Sequence, residues 1–360
     1  MLLIPGPTEI SERVTKAITT IPLFHNDELV VRKVEETREL LEPIFQTSND
    51  IVVIPGTGRS GMESAISSVL EPGDSILIIV NGFFANWFVD IASRIQAKVT
   101  LFESPYGKPI DLEALEKVLQ YPFKAVALVH SETSTGSYNS VDKIGKLVKA
   151  SNALFIVDAV SSVGGMDVHV DDWNIDICIT AAQKCLGAVL GLAAISISDR
   201  AWQHMSKRSK PCTSYTLDLL RWKRLWIDSV ATKAYPAVLP PILIAALNEA
   251  TKEVLAEGLP HRFQRHRDAA FLLRKGLADL GINLFSDELC ASNTATAFYV
   301  PVGFQGKQIV DELISKHDIT IAQGMGDLRS SILRVGHMAN TAKQETMNSF
   351  LQALKTVLYH

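Results

Sequence analysis

Lys184, in Gln183-Lys184-Cys185-Leu186-Gly187, leaves the end of the apolar run ICITAA (177–182). A lysine there is either solvated or desolvated. In the second case its pKa falls and the amine becomes a nucleophile toward carbonyl carbon. Asp158 ends the equally apolar run ALFIV (153–157). Burying that carboxylate is costly without a cation or hydrogen-bond donors. It reads either as a helix N-cap or as a group that holds a proton on a ring nitrogen. Arg334 lies in SILRVG (331–336), where a guanidinium serves a surface ion pair or forks onto a substrate carboxylate. Ser131-Glu132-Thr133-Ser134-Thr135-Gly136 follows AVALVH (125–130). It is an ordinary turn bonding its own backbone or a ligand loop.

The stretch Gly56-Thr57-Gly58-Arg59-Ser60-Gly61 is a G-x-G-x-x-G between a strand candidate, IVVI (51–54), and a helix candidate, MESAISSVL (62–70). Backbone N–H groups at a helix N-terminus suit a phosphate. A dinucleotide would also need an acidic residue after the next strand. That strand, ILIIV (76–80), is followed by Asn81-Gly82-Phe83-Phe84, without a carboxylate. A phosphate site, a buried acid, a lysine 26 positions later and a distant arginine together suit pyridoxal phosphate. That cofactor needs a Schiff-base lysine, a partner for its pyridinium nitrogen and an anchored phosphate.

The elements that must position these residues are short apolar runs alternating with helix-period segments. Strand candidates are 51–54, 76–80, 98–102, 125–130, 153–158, 177–180 and 192–198, with helical spacing in 111–120 and 141–150. The pattern predicts a largely parallel sheet covered on both faces, with ligands outside the strands' carboxyl ends. From about Gly258 the pattern becomes α+β: a long helix over 263–281, strand candidates at 294–300, 318–322 and 331–336, and a helix near 306–317. The expected division is an N-terminal segment (1–15) packing near a small C-terminal domain (258–360), with a large domain over 16–257.

Composition narrows the function. The chain is 47% hydrophobic with a net charge of −4, which offers no electrostatic footprint for nucleic acid or an anionic membrane. The run AVLPPILIAAL (237–247) is too short to span a bilayer and is broken by two prolines. MLLIPGPTEI is too short and proline-rich for a signal peptide. Four scattered cysteines without C-x-x-C argue against a metal site or disulfide framework and fit a reducing cytoplasm.

These motifs, in order, resemble the class V aminotransferases of fold type I, in the alanine–glyoxylate / serine–pyruvate group, over nearly the whole chain. The matching residues are Pro5-Gly6-Pro7, Gly56-Thr57-Gly58, Val80-Asn81-Gly82, Glu132-Thr133-Ser134-Thr135-Gly136, Val157-Asp158-Ala159-Val160, Gln183-Lys184 and Leu333-Arg334-Val335-Gly336-His337-Met338. The resemblance implies an α/β fold: a large domain with a mostly parallel sheet flanked by helices, and a smaller α+β C-terminal domain. It implies pyridoxal phosphate on Lys184, with Asp158 on the ring nitrogen. Phe84 would stack on the ring, where a tryptophan is common, with Thr133 near its phenolic oxygen and Val160 on the opposite face. Thr57, Gly58, Arg59 and Gln183 would hold the phosphate, and Arg334, with Gly6, the substrate. Tyr235 matches a tyrosine given to the neighbouring subunit's phosphate site, which implies a homodimer with shared sites.

Three departures stand out. Arg59 replaces a common histidine, Val238 a common threonine, and Ala188-Val189-Leu190-Gly191 a proline-rich segment. The expected function is ping-pong transfer from alanine or serine to glyoxylate or pyruvate. Arg59 and the Gln-Lys-Cys-Leu order are also similar to ureidoglycine–glyoxylate aminotransferases. The stretches after Asp158 and Lys184 are also similar to pyridoxamine–pyruvate aminotransferase. A lyase on the same scaffold and a non-catalytic binding protein are the remaining alternatives.

Overall fold

The computed structural model describes residues 1–229 and 234–359. A seven-stranded sheet forms the larger layer. Its strands are β1 (Asp50–Pro55), β2 (Ser75–Val80), β3 (Lys98–Glu103), β4 (Ala125–Val129), β7 (Leu154–Asp158), β8 (Ile177–Ala181) and β9 (Leu192–Ile197), in the spatial order β1-β9-β8-β7-β4-β2-β3. A two-stranded hairpin, β5 (Ser131–Glu132) with β6 (Ser137–Tyr138), interrupts the sequence numbering. Only β9 runs antiparallel to its neighbours within the large sheet; the other pairings are parallel. Strands β4, β7, β8 and β9 are buried along their whole length, as expected of a sheet covered on both faces.

Register aligns the strand ends. Asp158 lies opposite Val129 on one side and Ile179 on the other. The residues that follow β4, β7 and β8 therefore emerge at one rim, the carboxyl edge where open α/β sheets bind ligands.

Helices α1 (Glu12–Thr20) and α2 (Glu28–Phe45) pack on the helix Pro241–Glu257. Ser11 and Asp27 cap the first two through their side chains. The apolar run with two prolines is the start of that third helix, with Pro241 in its first turn, where the missing N–H does no harm. Helix α3 (Gly58–Val69) begins four residues before the predicted start at Met62. The glycine-rich turn is itself the first helical turn, and low glycine propensity hides this in the sequence. Helix α4 (Ala85–Arg94) follows β2.

A second hydrophobic core gathers Leu3, Leu273, Leu277, Phe298, Leu333, Val335, Phe350 and Leu354. It lies between the helices Leu259–Asp279 and Gln344–Tyr359 and a three-stranded sheet, β10 (Ala295–Tyr299), β12 (Ile332–Gly336) and β11 (Ala322–Gln323), with β12 central. The predicted strand over 318–322 survives only at its end. Asp318 takes a left-handed helix cap (φ +54°), and Thr320 pairs with the amino-terminal segment instead. Leu3 N–H donates to the Thr320 carbonyl at 2.8 Å, and Gly336 N–H to the Leu3 carbonyl at 2.7 Å. Residues 1–9 are thus tied to the second core while reaching the rim of the large sheet.

Candidate active site

A cavity of about 440 Å³ opens at that rim. Its walls include Gly6, Thr57, Gly58, Arg59, Phe84, Thr133, Asp158, Val160, Gln183, Lys184 and Arg334. Eleven positions singled out in the sequence, spread over more than three hundred residues, therefore face one space.

Lys184 projects from the turn after β8. Its ammonium donates to the Pro5 carbonyl, and the left-handed Gly6 (φ +85°) leaves room for the side chain; a Cβ there would lie 2.3 Å from Lys184 Cδ. Desolvation lowers the Lys184 pKa to about 8, with Arg334 adding to the effect and Asp158 and Glu132 opposing it. Asp158 sits at the end of β7, where Oδ1 accepts the Val160 N–H at 2.8 Å. Burial raises its pKa to about 7, and the nearby Glu132 carboxylate pushes the same way. A cation beside it would restore the carboxylate.

Arg334, on β12, enters from the second core. Its Nε donates to the Gln323 carbonyl at 2.9 Å and its Nη1 to the Thr133 carbonyl at 3.2 Å. Burial lowers its pKa to about 10, still far above neutrality. These two bonds aim the fork and leave Nη2 without a protein acceptor among the described residues.

The glycine-rich turn supplies the opposite wall. Thr57 N–H donates to Ser60 Oγ at 3.3 Å, and Gly58 packs so closely on Val160 that a Cβ would lie 2.6 Å from its Cγ2. Gln183 stands nearby with its Oε1 buried and without a hydrogen-bond partner among the described residues. A half-turn of the amide exchanges oxygen for an NH2 donor. An unsatisfied amide beside a helix N-terminus, an aimed guanidinium, a desolvated lysine and a buried acid fit pyridoxal phosphate in chemistry, and the cavity in size.

Two participants were not singled out for these roles. Trp87, one helical turn after Phe84, lines the cavity and meets Phe84 edge-on at 4.7 Å. The Arg59 guanidinium lies over the Trp87 ring, 4.2 Å from its centroid. The i, i+3 spacing on α4 was the available signal. Glu132, quoted only within a motif, is fully buried. It accepts from Phe84 N–H (3.0 Å), Ala85 N–H (3.3 Å), Ser134 N–H (3.1 Å) and Ser134 Oγ (2.6 Å). It caps α4 from a distant hairpin, a role no local pattern reveals.

Tyr235 does not line the cavity of its own chain. Its ring stacks on Trp226 at 4.4 Å, and its hydroxyl is buried without a hydrogen-bond partner among the described residues. Residues 230–233, just before Tyr235, lie outside the described residues.

The sequence profile of the family Aminotransferase class-V matches residues 14–334. An uncharacterized aminotransferase of Methanocaldococcus jannaschii is 38% identical over 96% of this chain and 90% of its own. The (S)-ureidoglycine–glyoxylate transaminase of Bacillus subtilis is 33% identical over 99% of this chain and 90% of its own. The crystal structure of an alanine–glyoxylate aminotransferase from Nostoc sp. superposes with a TM-score of 0.95 at 32% identity, covering 99% of this chain and 94% of that one. The chain therefore belongs to the class V aminotransferases, enzymes that work with pyridoxal phosphate.

Proposed function

We propose that the chain moves the amino group of a small neutral amino acid, alanine or serine, to glyoxylate or pyruvate. The observation that carries this reading is the meeting of Lys184, Asp158 and Arg334 in one cavity, with the lysine pKa drawn to about 8. Pyridoxal phosphate, when bound, supplies a carbonyl carbon for the amine and a ring that withdraws electrons. Lys184 would hold the cofactor through its amine, and the same amine is placed to take and return the proton at the substrate Cα. A pKa near the working pH suits both directions of that transfer. Asp158 would hold a proton on the cofactor's ring nitrogen. Arg334 binds the α-carboxylate and so fixes which bond at Cα faces the lysine.

The N-terminus of α3, with Thr57, Gly58, Arg59 and Gln183, would hold the phosphate, while Phe84 and Val160 flank the ring and Thr133 meets its edge. Gly6 would leave the space in which substrate approaches Lys184. Tyr235 lies away from its own cavity, which supports a homodimer in which it serves the neighbour's phosphate site. We place this homodimer in the cytoplasm and read residues 16–257 and 258–360 as its two domains, with 1–15 packing near the second.

Arg334 is the one lining cation assigned to a substrate carboxylate. A second carboxylate buried without its own cation would be expensive. Alanine or serine with glyoxylate is therefore expected to exceed glutamate with 2-oxoglutarate by at least about tenfold in kcat/KM, roughly 1.4 kcal/mol. A panel of amino acids against both acceptors measures this. Arg59 favours one other reading: stacked on Trp87 at the cavity wall, it could receive the ureido group of ureidoglycine. Loss of activity on ureidoglycine alone in Arg59→Ala would select that reading over the first.

A further inference from the structure

Arg262 lies on the helix Leu259–Asp279, outside the cavity, yet it is 4% exposed. A buried guanidinium is expensive unless its donors are matched, and here they are matched in an uncommon way. Nε donates to the Gly164 carbonyl at 2.7 Å, and Nη2 to the Cys185 carbonyl at 2.7 Å. Gly164 belongs to the loop that begins at Asp158; Cys185 is the residue after Lys184. Both carbonyls lie in irregular backbone beyond strand ends, where a sheet ladder supplies no donor. One planar group thus spans the two loops that carry the acid and the lysine.

The third side of the fork is held as well. Arg262 Nη1 meets Glu257 Oε2 at 2.6 Å. Glu257 also takes Arg265 Nε at 2.6 Å, and Arg265 Nη1 donates to the carbonyls of Ala339 (2.8 Å) and Ala342 (2.6 Å), just beyond the strand of Arg334. His266, on the same helix, is buried and accepts the Ala339 N–H, and the Cys185 thiol and the His337 ring are the other titratable groups that face this network.

We propose that Arg262 is a positioning residue for transamination: by bridging the Cys185 and Gly164 carbonyls it sets the placement of Lys184 relative to Asp158. Its long, rigid fork matches two carbonyls that a lysine ammonium cannot bridge in the same plane. The inference rests on the reading of Lys184 and Asp158 as the working pair.

The test uses the holoenzyme, with Arg262→Lys and Glu257→Gln. Three measurements are made: kcat and KM, the pH titration of the bound cofactor's absorbance, and borohydride reduction followed by peptide mapping. In Arg262→Lys, kcat falls about tenfold to a hundredfold, the loss that a misplacement of reacting groups by about 1 Å produces. KM for the amino donor stays within about twofold, because Arg334 is untouched, and the absorbance titration moves by about half a pH unit or more. Glu257→Gln, which keeps shape while loosening the fork, gives a smaller change in the same sense and decides the matter if Arg262→Lys does not fold. Unchanged kcat and titration in a folded Arg262→Lys, or in Glu257→Gln when that is the only soluble variant, overturn the inference. An adduct in the wild-type enzyme on a residue other than Lys184 overturns instead the reading beneath it.

Discussion

At the scale of single residues, Lys184 and Asp158 are shifted in opposite senses by the same cause. Burial lowers Lys184 to about 8 and raises Asp158 to about 7. For Asp158 the linkage runs in one direction. Below its unfolded value of 3.8 the group is neutral in both states and costs nothing. From 3.8 to about 7 the folded chain retains a proton that the unfolded chain has lost, so stability falls as pH rises. Above 7 the full penalty remains, on the order of a few kcal/mol. Apo Asp158→Asn is therefore expected to melt above the apo wild type at pH 8, with the gap closing toward pH 4; calorimetry at several pH values checks it, and a gap independent of pH would refute it. With cofactor bound the same substitution acts oppositely on function. Turnover should drop by at least about a hundredfold while the cofactor is retained. Lys184→Ala should abolish borohydride fixation of the cofactor, as read by mass spectrometry.

At the scale of elements, the proposed phosphate wall depends on close approach between α3 and the loop after β7. Gly58 meets Val160 where a methyl group would lie 2.6 Å from Cγ2. Gly58→Ala must displace either the helix N-terminus or the residue beside Asp158. The expected result is at least a tenfold weaker hold on pyridoxal phosphate, about 1.4 kcal/mol, with the apoprotein still folded. A fluorescence titration with the cofactor measures the affinity, and an unchanged value would place the phosphate elsewhere. The hairpin β5–β6 is a second such device, because Glu132 uses it to cap α4 and so holds Phe84 and Trp87 at the cavity.

For the whole molecule, the question is how many chains complete a site. Tyr235 is stacked against Trp226 of its own chain, away from the cavity. If it serves a neighbour, Tyr235→Phe should weaken cofactor retention severalfold, by about 1 kcal/mol for one lost hydrogen bond, with little change in melting temperature. Activity should also fall on dilution as the dimer separates. Full activity in a species of monomer mass, seen by light scattering, would exclude a shared site.

What the amino-acid order determined by itself was the set of groups and the fold class. Apolar runs at strand length, separated by helix-period segments, specify a covered parallel sheet, and each of the seven predicted strands in the first two hundred residues is present. The site residues follow those strands or flank glycine turns, so Lys184, Asp158, Thr133 and Thr57 were legible as strand-end chemistry. Their opposing readings were not separable there, since solvation of a lysine depends on what covers it. Tertiary structure decided that Pro5 and Gly6, 179 and 178 residues before Lys184 in sequence, close over its amine. It also decided that Arg334 is aimed by the Thr133 carbonyl and that Glu132 caps a helix 47 residues upstream. Composition and period are local properties of a chain. Desolvation, close approach and the pairing of buried charges arise only when distant segments meet.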